Sequence, residues 1–81
     1  MEKAVQIAAR LYECRDTART ILGDKYPERM REYGDSIRSV AAAKECSELV
    51  AGKMLAEAAG GGMATVLVLA ATVEIIEPSN A

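Results

Sequence analysis

Histidine, tryptophan and phenylalanine are absent from this 81-residue chain, and tyrosine occurs only three times. Without histidine, the chain lacks the side chain whose ordinary pKa suits proton transfer near neutral pH. Without Phe or Trp, the core has no large aromatic space-fillers. Ala, Val, Leu, Ile and Met must fill it, so the elements must approach closely. Two cysteines, Cys14 and Cys46, are too few for a secreted disulfide framework, and they form no CxxC pair. Positive charge is missing from the C-terminal third, because all ten Lys and Arg lie at or before Lys53. From Ala58 to Val73, sixteen residues pass without any charge. A segment apolar on every side is not a surface helix in water. Its own fold, a partner copy or lipid must cover it.

What is present bounds the class. The composition is 51% hydrophobic and 27% charged, which argues for a folded domain and against disorder. A chain of this length forms one domain, and such a domain buries only about 60–65% of its unfolded surface. A core this marginal is often reinforced by a disulfide, a metal or self-association. The net charge of −2 gives no strong pull toward nucleic acid or anionic lipid. The opening Met-Glu-Lys-Ala-Val-Gln has no signal-peptide apolar segment, so the expected compartment is the cytoplasm.

The pattern of apolar residues predicts an all-α domain over 1–81, a small bundle of three principal helices. The first spans 2–22, where Ala4, Ile7, Leu11, Cys14, Ala18 and Ile21 recur at spacings of three and four, widened by Leu22. Gly23 is placed to end it as a left-handed residue. The second spans 27–59 and opens on Pro27, whose missing N–H costs nothing there. Gly34-Asp35-Ser36 predicts a break near 34–36, with Asp35 as a fresh N-cap. Beyond it, Val40, Ala43, Cys46, Val50 and Met54 share a face, flanked by Ala42 and Leu49. Gly52 inside this helix costs roughly 1 kcal/mol relative to Ala, which implies a neighbouring backbone packed close against it. Gly60-Gly61-Gly62 breaks the chain. The apolar tract 63–77 is expected to be a helix, with a strand as the alternative, because its β-branched residues favour strand but no other segment offers a pairing edge.

Candidate chemistry is sparse. No serine sits in a nucleophile-elbow context, and pairs such as Glu28 and Glu32 read as a solvated helix face beside Arg29 and Arg31. The chain is expected to be no enzyme, with no catalytic residue, no metal ligand and no cofactor. Cys14 and Cys46 fall on apolar stripes and are expected to be core residues, with a disulfide between the long helices as the alternative. The arginines of the first half are interleaved with acids, whereas a phosphate footprint is one-signed, so nucleic acid is a disfavoured partner. A cluster of Arg15, Arg19 and Lys25 is suited to an acidic protein surface. Sixteen uncharged residues fall short of the roughly 20 that span a bilayer, and Glu74 would be buried in any longer span, so a membrane is disfavoured too.

Tyr and Arg are the residues that most often anchor protein interfaces. Tyr26, Arg29, Arg31, Tyr33 and Arg38 are therefore the candidate partner-binding set, with partly buried packing at the helix junction as the alternative role of the tyrosines. Val66, Leu67, Val68, Leu69 and Val73 are the candidate self-association set, and a homodimer through this segment is expected. In size, helical character, mild acidity and lack of catalytic equipment, the whole chain resembles the small inhibitor proteins of bacteriophages and mobile elements, including anti-CRISPR and host-takeover proteins. That resemblance implies a non-catalytic protein that binds and blocks a larger machine, and it transfers no residue role. A self-assembling helical subunit and a small membrane-active protein are the alternatives.

Overall fold

The computed structural model of the chain describes residues 13–78. The stretch 2–12 of the expected first helix, with Ala4, Ile7, Leu11 and Tyr12, lies outside them. The fold is a small all-α bundle, and no strand occurs among the described residues. Residues 13–22 are helical (α1) and lead through a 3₁₀ turn, Gly23–Lys25, into α2 (Tyr26–Lys44). Helices α3 (Glu48–Ala58) and α4 (Gly62–Ile76) follow. Gly23 has φ +55°, the left-handed conformation its place after α1 predicts. Pro27 stands in the first turn of α2.

The expected break at 34–36 is absent, and α2 runs through it without interruption. Asp35 pairs with Arg38 one turn on at 3.9 Å, and the Ser36 hydroxyl donates to the Glu32 carbonyl at 3.4 Å. Neither side chain caps a new helix. Gly34 lies on the buried stripe Tyr26, Met30, Gly34, Ile37 and Ala41. Packing along that stripe outweighs its weak helix propensity.

The interruption falls instead at Glu45–Ser47. Glu45 is left-handed at φ 53°, its N–H donates to the Ala42 carbonyl, and the Cys46 N–H donates to the Ala41 carbonyl at 3.0 Å. This is a Schellman ending built without glycine. Ser47 then caps α3, its hydroxyl oxygen accepting from the Val50 N–H at 3.2 Å. The left-handed residue resets the helical phase, which corrects the face expected beyond Val40. Val50 and Met54 are 45% and 41% exposed, and α3 buries Ala51, Gly52 and Ala56 instead. Ala43 is exposed as well. In α1, Ala18 is fully buried and Leu22 packs on the core, whereas Ile21 is exposed.

Helix α4 is the centre of the bundle. It packs against both α2 and α3, which also touch each other. Its buried residues are Leu67, Val68, Ala70, Ala71, Thr72 and Val73, which lie on nearly every side of the helix. Burying a Val or Leu side chain contributes about 1.5–3 kcal/mol, so this charge-free run is a main source of the fold's stability. The helix starts one residue before the expected tract and ends one before it. Its entry needs glycine: Gly60, Gly61 and Gly62 have φ of 79°, 96° and 71°. Thr65 ties this turn down. Its hydroxyl accepts from the Gly61 N–H at 2.8 Å and donates to the Ala56 carbonyl, at the end of α3, at 3.1 Å.

Alanine dominates the core cluster, with Ala18, Ala41, Ala51, Ala70 and Ala71 packed around Tyr26, Met30, Ile37 and Leu67. Small side chains bring helices close, and the closest approach is at Gly52. A Cβ there would lie 2.1 Å from the Thr72 hydroxyl oxygen. What packs against Gly52 is the Thr72 side chain of α4, in place of the neighbouring backbone expected there. Thr72 is 1% exposed, and its hydroxyl donates to the Val68 carbonyl at 2.9 Å, so no polar atom is stranded at the crossing. Cys14 and Cys46 are both free thiols, half-buried against the core. Burial, and then the nearby Glu13 charge, push the Cys14 thiol above its ordinary pKa.

Candidate partner-binding groove

The expected binding residues lie on or beside α2, and helix geometry divides them. Pro27, Arg31, Gly34 and Arg38 recur at spacings of four, three and four, so they form one stripe flanking the buried face. Arg29 and Tyr33 stand two residues either side of Arg31, about 160° around the helix from it. Spacing alone sets Tyr26 on the side of Tyr33, but the groove beside α4 is lined by Tyr26 together with Arg31 and Arg38, and Arg29 and Tyr33 do not line it. Arg29 pairs with Glu32 at 3.6 Å on the exposed surface. Tyr33 is half-buried against the core.

Tyr26, Arg31 and Arg38 line a groove of about 420 Å³ between α2 and the C-terminal part of α4. Its floor is apolar or bare: Met30 and Gly34 from α2, Ala71 and Ile75 from α4. Pro27 and Pro78 close its edges, and Arg19 reaches it from α1. Three guanidinium groups, Arg19, Arg31 and Arg38, face one carboxylate, Glu74. The lining therefore carries a surplus of positive charge although the whole chain is acidic.

Glu74 anchors one end of the groove. Its carboxylate meets Arg15 at 3.4 Å and Arg19 at 3.8 Å, and it accepts a hydrogen bond from the Tyr26 hydroxyl. Arg15 also donates to the Glu77 carbonyl at 2.7 Å. The Arg19 guanidinium lies 5.2 Å from the centre of the Tyr26 ring, a cation–π arrangement. The Arg15 and Glu74 side chains are only 15% and 16% exposed. This node joins three helices by charge-assisted bonds that water screens poorly. Burial raises the Tyr26 pKa well above its ordinary 10.0, reinforced by the Glu74 hydrogen bond and charge and opposed by Arg19 and Arg15. Tyr26 is thus a fixed hydrogen-bond donor at neutral pH. The Glu74 oxygens are engaged by two guanidiniums and a phenol, an arrangement that holds charge in place.

The rim differs from the node. Arg31 is exposed and, among the described residues, has no acid within 4 Å. Arg38 meets only the exposed Asp35 at 3.9 Å, a pair worth little in water. A second depression of about 420 Å³ lies between α3 and α4 at Gly61 and Thr65, but Lys53 and Glu57 give it no charge of one sign. Among the described residues, no group of three or more His, Cys, Asp or Glu side chains is placed to hold a metal ion. No helix among them is long and apolar enough to cross a membrane.

The candidate self-association residues lie mostly inside the fold. Leu67, Val68 and Val73 are buried within the single chain, and Val66 and Leu69 are half-buried. What α4 leaves exposed is at its two ends, Met63 and Ile76. Of the cluster Arg15, Arg19 and Lys25, the two arginines are engaged with Glu74.

Sequence reasoning missed Glu74 as the organising group and Gly34 as groove floor. The signal for Glu74 was its isolation: one carboxylate in an otherwise apolar helix requires a buried partner. Arg15 and Arg19, four residues apart and so on one helix face, were the partners on offer. Comparison with known proteins finds no matching family model, no similar curated protein and no similar solved structure.

Proposed function

We propose that this chain is a non-catalytic protein-binding module that inhibits a larger macromolecular machine by occupying its surface. The contact is the groove between α2 and α4, with Tyr26 at its base and Arg31 and Arg38 on its rim. One observation carries this reading. Arg31, exposed and with no acid within 4 Å among the described residues, stands beside a groove bordered by Met30, Ile75 and Pro27. Interface hot spots combine these elements: an arginine or tyrosine anchor next to a pocket that excludes water. The small size and the lack of an obvious general base agree with a protein that acts by blocking. The setting that suits it is the cytoplasm of a bacterial cell, in the manner of phage anti-CRISPR or other anti-defence proteins. Burial of Leu67, Val68 and Val73 within one chain frees the reading from any need for a dimer.

The test is quantitative binding. A partner captured on the wild-type chain is purified and titrated by calorimetry against wild type and against the Arg31→Ala, Arg38→Ala double variant. The expected result is a loss of affinity of about tenfold or more, corresponding to ~1.4 kcal/mol, with an unchanged melting temperature. A partner that binds the double variant as tightly as wild type removes the groove from the reading.

A further inference from the structure

We infer that the occupant of the groove is an acidic amphipathic helix of the partner protein. It presents two carboxylates seven residues apart with one apolar side chain between them. This inference rests on the groove being the contact surface, and it specifies the chemistry that fits there.

The rim sets the spacing. Arg31 and Arg38 are seven residues apart on an unbroken helix, about 10.5 Å along its axis. Gly34 lies between them on the same stripe. A Cβ on Gly34 would find its nearest neighbours at 3.7 Å (the Arg38 guanidinium) and 3.8 Å (Ile75), ordinary van der Waals contact. The fold therefore does not need glycine there for space. Gly34 is itself buried beneath Arg38 and Ile75, and the groove is bordered here by Met30, Ile75 and Ala71.

A partner helix packed along α2 repeats the same period. Acids at positions i and i+7 reach Arg31 and Arg38, and a Leu or Met at i+3 or i+4 lies over Gly34. To receive the second acid, Arg38 gives up its exposed 3.9 Å contact with Asp35, which costs little. Carboxylates match guanidinium forks in geometry as well as charge. A nucleic acid strand is the poorer fit. Glu74 lies inside the groove, and the floor offers apolar surface with Tyr26 as its one aromatic ring, already stacked under Arg19.

The probe is a labelled synthetic peptide of roughly 18 residues, long enough to be helical. It carries Glu at the two outer positions and Leu between them. Three control probes are a Lys/Leu/Lys peptide, a Glu/Ser/Glu peptide and a single-stranded oligonucleotide. Fluorescence anisotropy with the full chain reads the affinities. The Glu/Leu/Glu peptide is expected to bind at least about tenfold more tightly than either control peptide, with affinity falling as salt rises. Arg31→Ala is expected to weaken it about fivefold or more without moving the melting temperature, because Arg31 has no acid within 4 Å among the described residues. Gly34→Ala is expected to weaken it while raising the melting temperature, which separates a filled seat from a damaged fold.

Equal binding of the Glu and Lys peptides overturns the inference, as does tighter binding of the oligonucleotide. No binding of the Glu/Leu/Glu peptide also overturns it. If the captured partner still depends on Arg31 and Arg38 in that case, the groove stands and only its occupant is wrong.

Discussion

The two flanks of α4 are built on opposite principles. Toward α3, contact is steric: Gly52 meets Thr72 so closely that no other residue fits without movement. Toward α1 and α2, α4 shares the apolar core with Met30, Ile37 and Ala41 and adds an electrostatic node beside an open groove. Glu74 gathers Arg15, Arg19 and Tyr26, and beyond them the groove is left unfilled. Each flank has a helical glycine facing α4, and the two glycines differ in meaning. Gly52 is required by the fold. Gly34 is not, and the space it leaves belongs to the surface where a partner is proposed to sit. A glycine inside a helix is thus informative only once its neighbours are known.

The largest expected effect breaks the steric flank. Gly52→Ala should destabilise the protein by about 3 kcal/mol, since its Cβ would drive into a fully buried side chain rather than a flexible tip. Thermal unfolding followed by circular dichroism measures it. Adding Thr72→Ala removes the atoms at 2.1 and 2.7 Å but keeps the Cβ at 2.9 Å, so the double variant should recover part of the loss and not all of it. Additive losses would mean that the crossing is not set by this pair.

The electrostatic flank should break with a smaller cost. Glu74→Gln is expected to lose about 2 kcal/mol in urea unfolding, because it leaves Arg15, itself only 15% exposed, short of a counter-charge. A change within ±0.5 kcal/mol would show that the other bonds of Arg15, the Glu77 carbonyl among them, satisfy it without the Glu74 charge.

The same flank should show a pH signature at its alkaline edge. Tyr26 has a raised pKa in the folded protein and an ordinary value near 10.0 when unfolded. Its contribution is therefore constant below about pH 10, where both states keep the proton. Above that pH the unfolded state ionises first, and stability falls. Tyr26→Phe should lower stability at pH 7 by removing the bond to Glu74, and it should flatten the decline above pH 10. An unchanged alkaline slope would assign the decline to other groups.

The smallest effect sharpens the comparison by its sign. Gly34→Ala should stabilise the fold by roughly 0.5–1 kcal/mol, since alanine gains helix propensity and its Cβ meets only ordinary contacts. Opposite signs at Gly34 and Gly52 would confirm that one flank is tight and the other has room.

Much of the bundle was legible in the chain, and the losses have identifiable causes. The apolar tract 63–77, entered through three glycines and stopped by Pro78, marked α4 to within a residue at each end. The break was misplaced because Gly34-Asp35-Ser36 has the chemistry of an interruption, whereas Glu45 shows none. A left-handed glutamate is adopted only because the α2–α3 connection demands it. The error carried forward, since a reset of helical phase turned Val50 and Met54 outward. The five-residue binding face was half legible: residue type marked it, but spacing separates Arg31 and Arg38 from Tyr26, Arg29 and Tyr33, and only the fold brings Tyr26 to the arginines.

The sequence by itself determined what local rules govern. It set the all-α class, the largely buried character of Leu67 to Val73, the left-handed turn at Gly23 and the need for something close against Gly52. Apolar periodicity and glycine act over a few residues, so a linear reading captures them. Only the tertiary structure decided which elements meet: that Thr72 fills the space at Gly52, that Glu74 collects arginines some sixty residues away (59 for Arg15) and that Arg31 pairs with no acid within 4 Å among the described residues. Those outcomes depend on how four helices cross. Crossing is fixed by the summed packing of many small side chains and by no single one of them.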